Sequence, residues 1–216
     1  MAGSSGGGHR RWNARRFVRT FGVVLILTGV GFLGYVGLQY FGTNIVAKHA
    51  QAQVKTEIQQ SWAKEDDGDS VGLPRIARFG KTFEVPINRT FSKNALSSGV
   101  GWYEKGALPG QIGNFVVGGH RVTHGEPFRD FPQLRTGDKV EVETRTQVYV
   151  YALRDNGTDR TVDYTAGWVL KPDPIARSAT ASKPVLTLLT CSELFHTRNR
   201  NVVFGDLVSA TAKTTQ

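Results

Sequence analysis

Residues 185–204 read VLTLLTCSELFHTRNRNVVF. Two runs rich in aliphatic and β-branched residues, 185–190 and 201–204, flank a polar connection, as in two strands joined by a loop. Cys191 closes the first run and is the only cysteine in 216 residues, so it has no disulfide partner within the chain. A lone cysteine at a strand end reads either as a small hydrophobe filling a core or as an exposed thiol that does chemistry. Its company favours chemistry, because the residues that follow are polar and include Arg198 and Arg200.

Outward from this stretch, the chain from Pro74 onward is a series of short strand candidates separated by turns. They cover 75–79, 82–87, 114–120, 139–145, 147–154, 161–164, 185–190 and 201–209. Residues 139–145 alternate, which predicts Val140 and Val142 inward with Glu141 and Glu143 outward. Phe115, Val116 and Val117 are contiguous, the pattern of a strand buried on both faces. Regular spacing of this kind favours an all-β closed barrel or sandwich. Within it one helix is expected, one or two turns over 126–131, started by Pro127 and stopped by Pro132.

The net charge of +9 is mostly an N-terminal property. Residues 1–19 hold five arginines and no acids, and the other 197 residues carry 22 basic and 18 acidic groups. That distribution gives no reason to expect a nucleic-acid partner. After Arg19 no charged side chain occurs until Lys48, and residues 21–38 are almost continuously apolar. A spanning helix needs about 20 such residues. A cleavable signal peptide has an apolar core of only about 7–15 residues. The run here is longer and ends in Tyr35, Tyr40 and Phe41, which suit a membrane interface. The segments read as a basic tail over 1–19 and an uncleaved transmembrane helix over 20–42. The arginines place the N-terminus in the cytoplasm and the rest of the chain outside the plasma membrane, in a single pass.

Residues 44–64 are good helix formers, with Val46, Ala50, Val54, Ile58 and Trp62 recurring about every four positions. They read as an extracellular stalk helix, and the acidic, glycine-containing 65–72 as a linker. Stalk and linker together occupy 43–73, and the globular domain runs over 74–216.

A free thiol outside the cell is unusual unless it is used. It is a nucleophile only as the thiolate, so a neighbouring imidazolium is the usual activating partner. His9 lies in the basic tail, His49 in the stalk, and His196 only five residues past Cys191 in the same connection. His124 lies in a polar turn. His120 follows Gly118 and Gly119 at the end of an apolar strand, where a ring emerges from the core. It reads as a structural histidine alone, and as a base or acid once paired with a strand-end cysteine. A guanidinium on the next strand could hold an oxyanion in a partly exposed groove.

These residues carry a family resemblance. Thr187-Leu188-Leu189-Thr190-Cys191 resembles the TLxTC signature of the sortases, and Gly118-Gly119-His120-Arg121 is similar to their histidine motif. The resemblance runs over about residues 74–210 through Ala107-Leu108-Pro109-Gly110, Pro127-Phe128-Arg129-Asp130 and Thr136-Gly137-Asp138, and is nearest to the class E sortases of actinobacteria. It implies a closed eight-stranded β-barrel with one or two short helices behind the transmembrane and stalk helices. It implies a Cys191 nucleophile, a His120 general acid and base, and an Arg200 oxyanion and substrate stabiliser, with Arg198 the lesser candidate. Thr190, Leu189, Arg198 and Tyr103 are the residues it suggests for substrate contact, although Trp102 and Tyr103 also suit buried packing. The implied reaction cleaves an LPxTG-like or LAxTG-like sorting signal between Thr and Gly through a thioester. An amine of the peptidoglycan cross-bridge or of a pilin lysine then resolves it. The implied partners are surface or pilin proteins with C-terminal sorting signals, and no cofactor or metal is expected. Hydrolysis by a cysteine protease and a non-catalytic envelope-binding barrel are the rival readings.

Overall fold

The computed structural model describes residues 8–38, 42–81, 83–192 and 198–213. The chain divides into two compact units, one ending at Gly42 and the other beginning at Thr43.

The first unit is helix α1 (Gly8–Gly37), 30 residues long. At ~1.5 Å per residue a helix of that length comfortably exceeds a hydrocarbon core of about 30 Å. Its stretch Ala14–Gly37 is long and apolar enough to cross a membrane. Leu25, Ile26 and Leu33 point outward and are largely exposed. A helix apolar all round is suited to lipid, where its backbone groups are satisfied internally. The Thr28 hydroxyl donates to the Val24 carbonyl within the helix at 2.9 Å. Tyr40 and Phe41, expected at a membrane interface, lie outside the described residues.

The second unit opens with helix α2 (Thr43–Ala63). Ala47, Gln51 and Ile58 are buried and Val54 is half-buried, a stripe at the i, i+4, i+7, i+11 spacing of a helix face packed on a domain. Val46, expected in the apolar stripe, is instead exposed. The packed face thus keeps Val54 and Ile58 of the expected stripe and takes Ala47 and Gln51 in place of Val46 at its N-terminal end. Lys55 reinforces that contact through an ion pair with Glu84.

Nine strands follow: β1 (Ser70–Ile76), β2 (Ile87–Asn88), β3 (Val100–Trp102), β4 (Gly113–Gly118), β5 (Lys139–Glu143), β6 (Gln147–Leu153), β7 (Thr161–Asp163), β8 (Pro184–Cys191) and β9 (Asn199–Ala212). Their order is β6-β5-β1-β2-β3-β4-β8-β9, and a further β6–β9 pairing closes these eight into a ring. The 14 residues of β9 make closure possible. One edge runs along β8, and the other pairs first with β7 at 199–201 and then with β6 at 205–212. β7 is therefore a flap on β9 outside the ring. Closing the sheet removes its open edges.

The barrel interior is filled by Phe115, Val117, Val140, Val142, Leu186, Leu188 and Val203, among others. Burial of each such side chain contributes about 1.5–3 kcal/mol. In β5 the valines are buried and the glutamates half-buried, as the alternation predicts. β8 and β9 read as nearly continuous apolar runs because both faces are covered. Val202 and Phe204 on the outer face pack under Val169 of a 3₁₀ turn, Gly167–Leu170.

The sequence expectations differ from the structure at several places. β1 begins at Ser70, inside the segment read as linker, and Ser70 Oγ donates to the Ile87 carbonyl at 2.8 Å. Residues 77–79 form a 3₁₀ turn. Strand pairing at 82–87 is confined to β2, and Thr82 lies outside the described residues. No helix forms over 126–131, because Glu126 takes a φ of 54° and the chain turns before a short 3₁₀ segment, Phe131–Gln133. A helix does form at α3 (Lys93–Ser97), where Ser92 Oγ accepts from the Ala95 N–H at 3.3 Å as an N-cap. The Ala107–Gly110 loop is structural: Trp102 Nε1 donates to the Ala107 carbonyl at 2.9 Å, and Gly110 N–H to Tyr151 Oη at 2.8 Å.

Candidate active site

β4 and β8 run parallel with Gly118 opposite Leu189, so their C-terminal ends emerge at the same rim. β9 is antiparallel to β8, with Arg200 opposite Cys191. His120 lies two residues beyond the end of β4, Cys191 ends β8, and Arg200 is the second residue of β9. Two successive strands, β8 and β9, and a segment about 70 residues earlier in the chain thus arrive at one place.

A groove of about 160 Å³ lies there on the outer face of the barrel. His120, Cys191 and Arg200 all border it. Phe91, Leu96 and Leu189 supply its apolar lining, which Gly118, Gly119 and Thr190 complete. The glycines are needed for this shape. A Cβ on Gly118 would sit 3.1 Å from Leu189 and 3.2 Å from Phe91, and one on Gly119 would sit 2.7 Å from Val100.

Two hydrogen bonds staple the His120 segment to β8. The Gly119 N–H donates to the Leu189 carbonyl at 3.2 Å, and Thr190 Oγ1 donates to the Gly119 carbonyl at 2.8 Å. The His120 carbonyl in turn accepts from the Phe128 N–H at 3.0 Å. Arg121 Nη1 donates to the Ser192 carbonyl, joining the same segment to the residue after Cys191. Cys191 is a free thiol, half-buried. Arg200 is half-buried, and one of its terminal nitrogens donates to the Asn199 carbonyl at 2.9 Å.

The residues suggested for substrate contact separate into two groups. Leu189 and Thr190 border the groove, but Thr190 is 1% exposed and its hydroxyl is committed to Gly119, so it shapes the rim. Arg198 is not among the groove-lining side chains. Its Nε is 3.2 Å from Asp163 Oδ2 and its guanidinium lies over the Tyr164 ring at 5.0 Å, both on the β7 side. Asp163 is held down at about 2, by hydrogen bonds from the Thr165 hydroxyl and N–H and then by Arg198. Tyr103 also lies outside the lining and packs on Phe91, with ring centroids 6.0 Å apart. His196 lies outside the described residues.

Nothing in the sequence pattern points to Phe91 and Leu96, and His124 reads there as part of a polar turn, below His120 as a partner for Cys191. Phe91 and Leu96 flank the Ser92 N-cap, a local signal that marks the turn but not its place on the groove. His124 stacks on His120, with ring centroids 4.4 Å apart and planes 22° apart.

The chain matches the family model described as Sortase domain over residues 74–208. It is similar to Sortase SrtE1 of Streptomyces coelicolor, 34% identical over 205 residues that cover 88% of this chain. It spans only 57% of the length of that curated relative. Among solved structures it resembles sortase E from Streptomyces avermitilis, with 32% identity, a TM-score of 0.60 and coverage of 67% of this chain and 91% of that one. Sortase E1 from Streptomyces coelicolor, solved with a tripeptide in its active site, gives 30% identity, a TM-score of 0.58 and coverage of 67% and 91%.

Proposed function

The chain belongs to the sortase family, a family of cysteine transpeptidases, and from that premise we propose that it cleaves sorting signals and joins the released proteins to an amine. The observation that carries this reading is the apolar groove bordered together by Cys191, His120 and Arg200. Its substrate is an LPxTG-like or LAxTG-like peptide, whose aliphatic leading residues suit the apolar lining of Phe91, Leu96 and Leu189. A related sortase E1 holds a tripeptide in its active site, which supports a peptide in the same place here.

In this mechanism the Cys191 thiolate attacks the carbonyl carbon of the Thr-Gly bond, and the Arg200 guanidinium stabilises the oxyanion that forms. His120, as imidazolium, protonates the departing glycine amine as the C–N bond breaks, leaving a thioester on Cys191. The neutral imidazole then takes a proton from the incoming amine, which attacks the thioester and expels the Cys191 thiolate, restoring the thiolate and imidazolium pair. The acceptor is a peptidoglycan cross-bridge or a pilin lysine. α1 serves as a single membrane anchor, with the arginine-rich tail cytoplasmic and the barrel on the outer side.

The test incubates the full chain in detergent micelles with LPxTG and LAxTG peptides, with and without glycine or a diamine. Ligated product is expected, and it should vanish in Cys191→Ala and His120→Ala. Cleaved peptide alone would assign hydrolysis instead, and no turnover by the wild-type chain would remove the enzymatic reading.

A further inference from the structure

The segment after β4 carries a second imidazole that the mechanism does not use. His124 stacks on His120 at a centroid separation of 4.4 Å. The turn that presents it is unusual: His124, Gly125 and Glu126 hold φ values of 53°, 81° and 54° in succession. Side chains other than glycine enter this left-handed region at a cost, and such conformations persist where surrounding contacts enforce them. Here those contacts come from α2. The Gly125 N–H donates to Asn44 Oδ1 at 2.9 Å, and Gln51 Nε2 donates to the His124 carbonyl at 3.3 Å. Gln51 is itself buried against the barrel.

The ring is fixed as well as its backbone, since His124 Nδ1 lies 3.0 Å from Thr123 Oγ1. Burial lowers the proton affinity of His124, which favours its neutral form. A neutral π face against an imidazolium is attractive, whereas two stacked imidazoliums repel. Among the described residues, the other titratable or charged groups bordering the groove are Cys191 from β8 and Arg200 from β9.

We propose that His124 is a positioning residue for His120: held by a turn that α2 clasps, its ring fixes the His120 imidazole in the orientation from which it exchanges protons at the groove. This inference rests on the transpeptidase reading above.

The experiment uses the full chain in detergent micelles and measures kcat and KM for an LAxTG peptide. In parallel, the rate of Cys191 alkylation by iodoacetamide is followed across pH, a readout that needs no substrate. His124→Ala is expected to lower kcat about tenfold with KM nearly unchanged, because a misplaced acid and base slows proton transfer more than binding. It should also shift the pH profile of alkylation. His124→Phe, which keeps a flat ring but no titrating group, should recover kcat to within about threefold of wild type. Asn44→Ala with Gln51→Ala should lower kcat in the wild-type background and add nothing to His124→Ala. An unchanged kcat and alkylation profile in His124→Ala would overturn the proposal, as would a Phe variant that is folded but as slow as the Ala variant. If the wild-type chain turns over no peptide, the transpeptidase reading fails, while the alkylation profiles still decide the role of His124.

Discussion

Cys191 and Arg200 are direct partners in the antiparallel β8–β9 ladder. Residues opposite one another in such a ladder project from the same face of the sheet. Leu186 and Leu188 belong to the interior cluster, and Leu189 to the cluster on the outer face with Val202 and Phe204. By alternation Cys191 and Arg200 are outward too. A one-residue slip between β8 and β9 would send the guanidinium to the other face. The hydrophobic pattern that fills the barrel therefore also fixes the sulfur beside the cation.

Arg200→Ala should accordingly lower kcat by about 10²–10³, the loss typical of removing one oxyanion donor. Arg200→Lys should recover little, because an ammonium lacks the planar fork of donors. Arg198→Ala should stay within about threefold of wild type, since its exposed ion pair with Asp163 is worth little. Steady-state kinetics with one peptide decides the assignment, and an inverted order of the two alanine variants would transfer the role to Arg198.

Thr190→Val should keep the shape of the rim but strip the hydroxyl from the Gly119 carbonyl, its partner at 2.8 Å. Leaving a buried acceptor unsatisfied costs about 1–3 kcal/mol. The melting temperature in detergent should fall, and kcat with it, while Thr190→Ser keeps both nearer wild type. Unaltered melting in the Val variant would mean that the staple contributes nothing.

Gly118 and Gly119 should respond differently to alanine. At Gly118 the added methyl meets the ends of Leu189 and Phe91 at 3.1 and 3.2 Å, side chains that can give way into the groove. The expected result is a higher KM with nearly normal melting. At Gly119 the methyl meets Val100 at 2.7 Å within the core, where overpacking costs about 1–3 kcal/mol. Peptide titrations and thermal melts on both variants separate the effects, and equal destabilisation would show that the groove lining is as rigid as the core.

What could be read in the chain beforehand follows from how local each determinant is. The alternation in β5 and the apolar runs of β4 and β8 are local, and they suffice for an all-β barrel or sandwich with Cys191 and His120 near strand ends; the choice of the closed barrel rests on the family resemblance. β2 and β3 have two and three residues, too short for a periodic signal, and exist because ring closure gives them neighbours on both sides. On α2 the Val54 and Ile58 part of the packed face is legible, whereas Ala47 and Gln51 are not, because alanine and glutamine carry no strong hydrophobic signal of their own. His124 reads from the sequence as a residue of a polar turn. Its place on His120 depends on a left-handed backbone and on a hydrogen bond from a side chain 73 positions away.

The contact between α2 and the barrel should depend on pH through Glu84. Its carboxylate joins two elements, Lys55 on α2 and Arg75 on β1. The hydrogen bond from Lys55, and next that from Arg75, hold its pKa below the ordinary 4.5. A carboxylate with a lowered folded-state pKa lends its stability fully above the unfolded value and loses it as pH falls through the folded one. The helix should thus be held firmly at neutral pH and loosen below about pH 4, where the unperturbed group protonates. Amide hydrogen exchange, corrected for its intrinsic pH dependence, should show α2 protection falling between pH 6 and 3 in wild type. In Glu84→Gln, protection should be low at both values. The same steep loss in the Gln variant would assign the acid sensitivity to another carboxylate and leave Glu84 without a part in seating the helix.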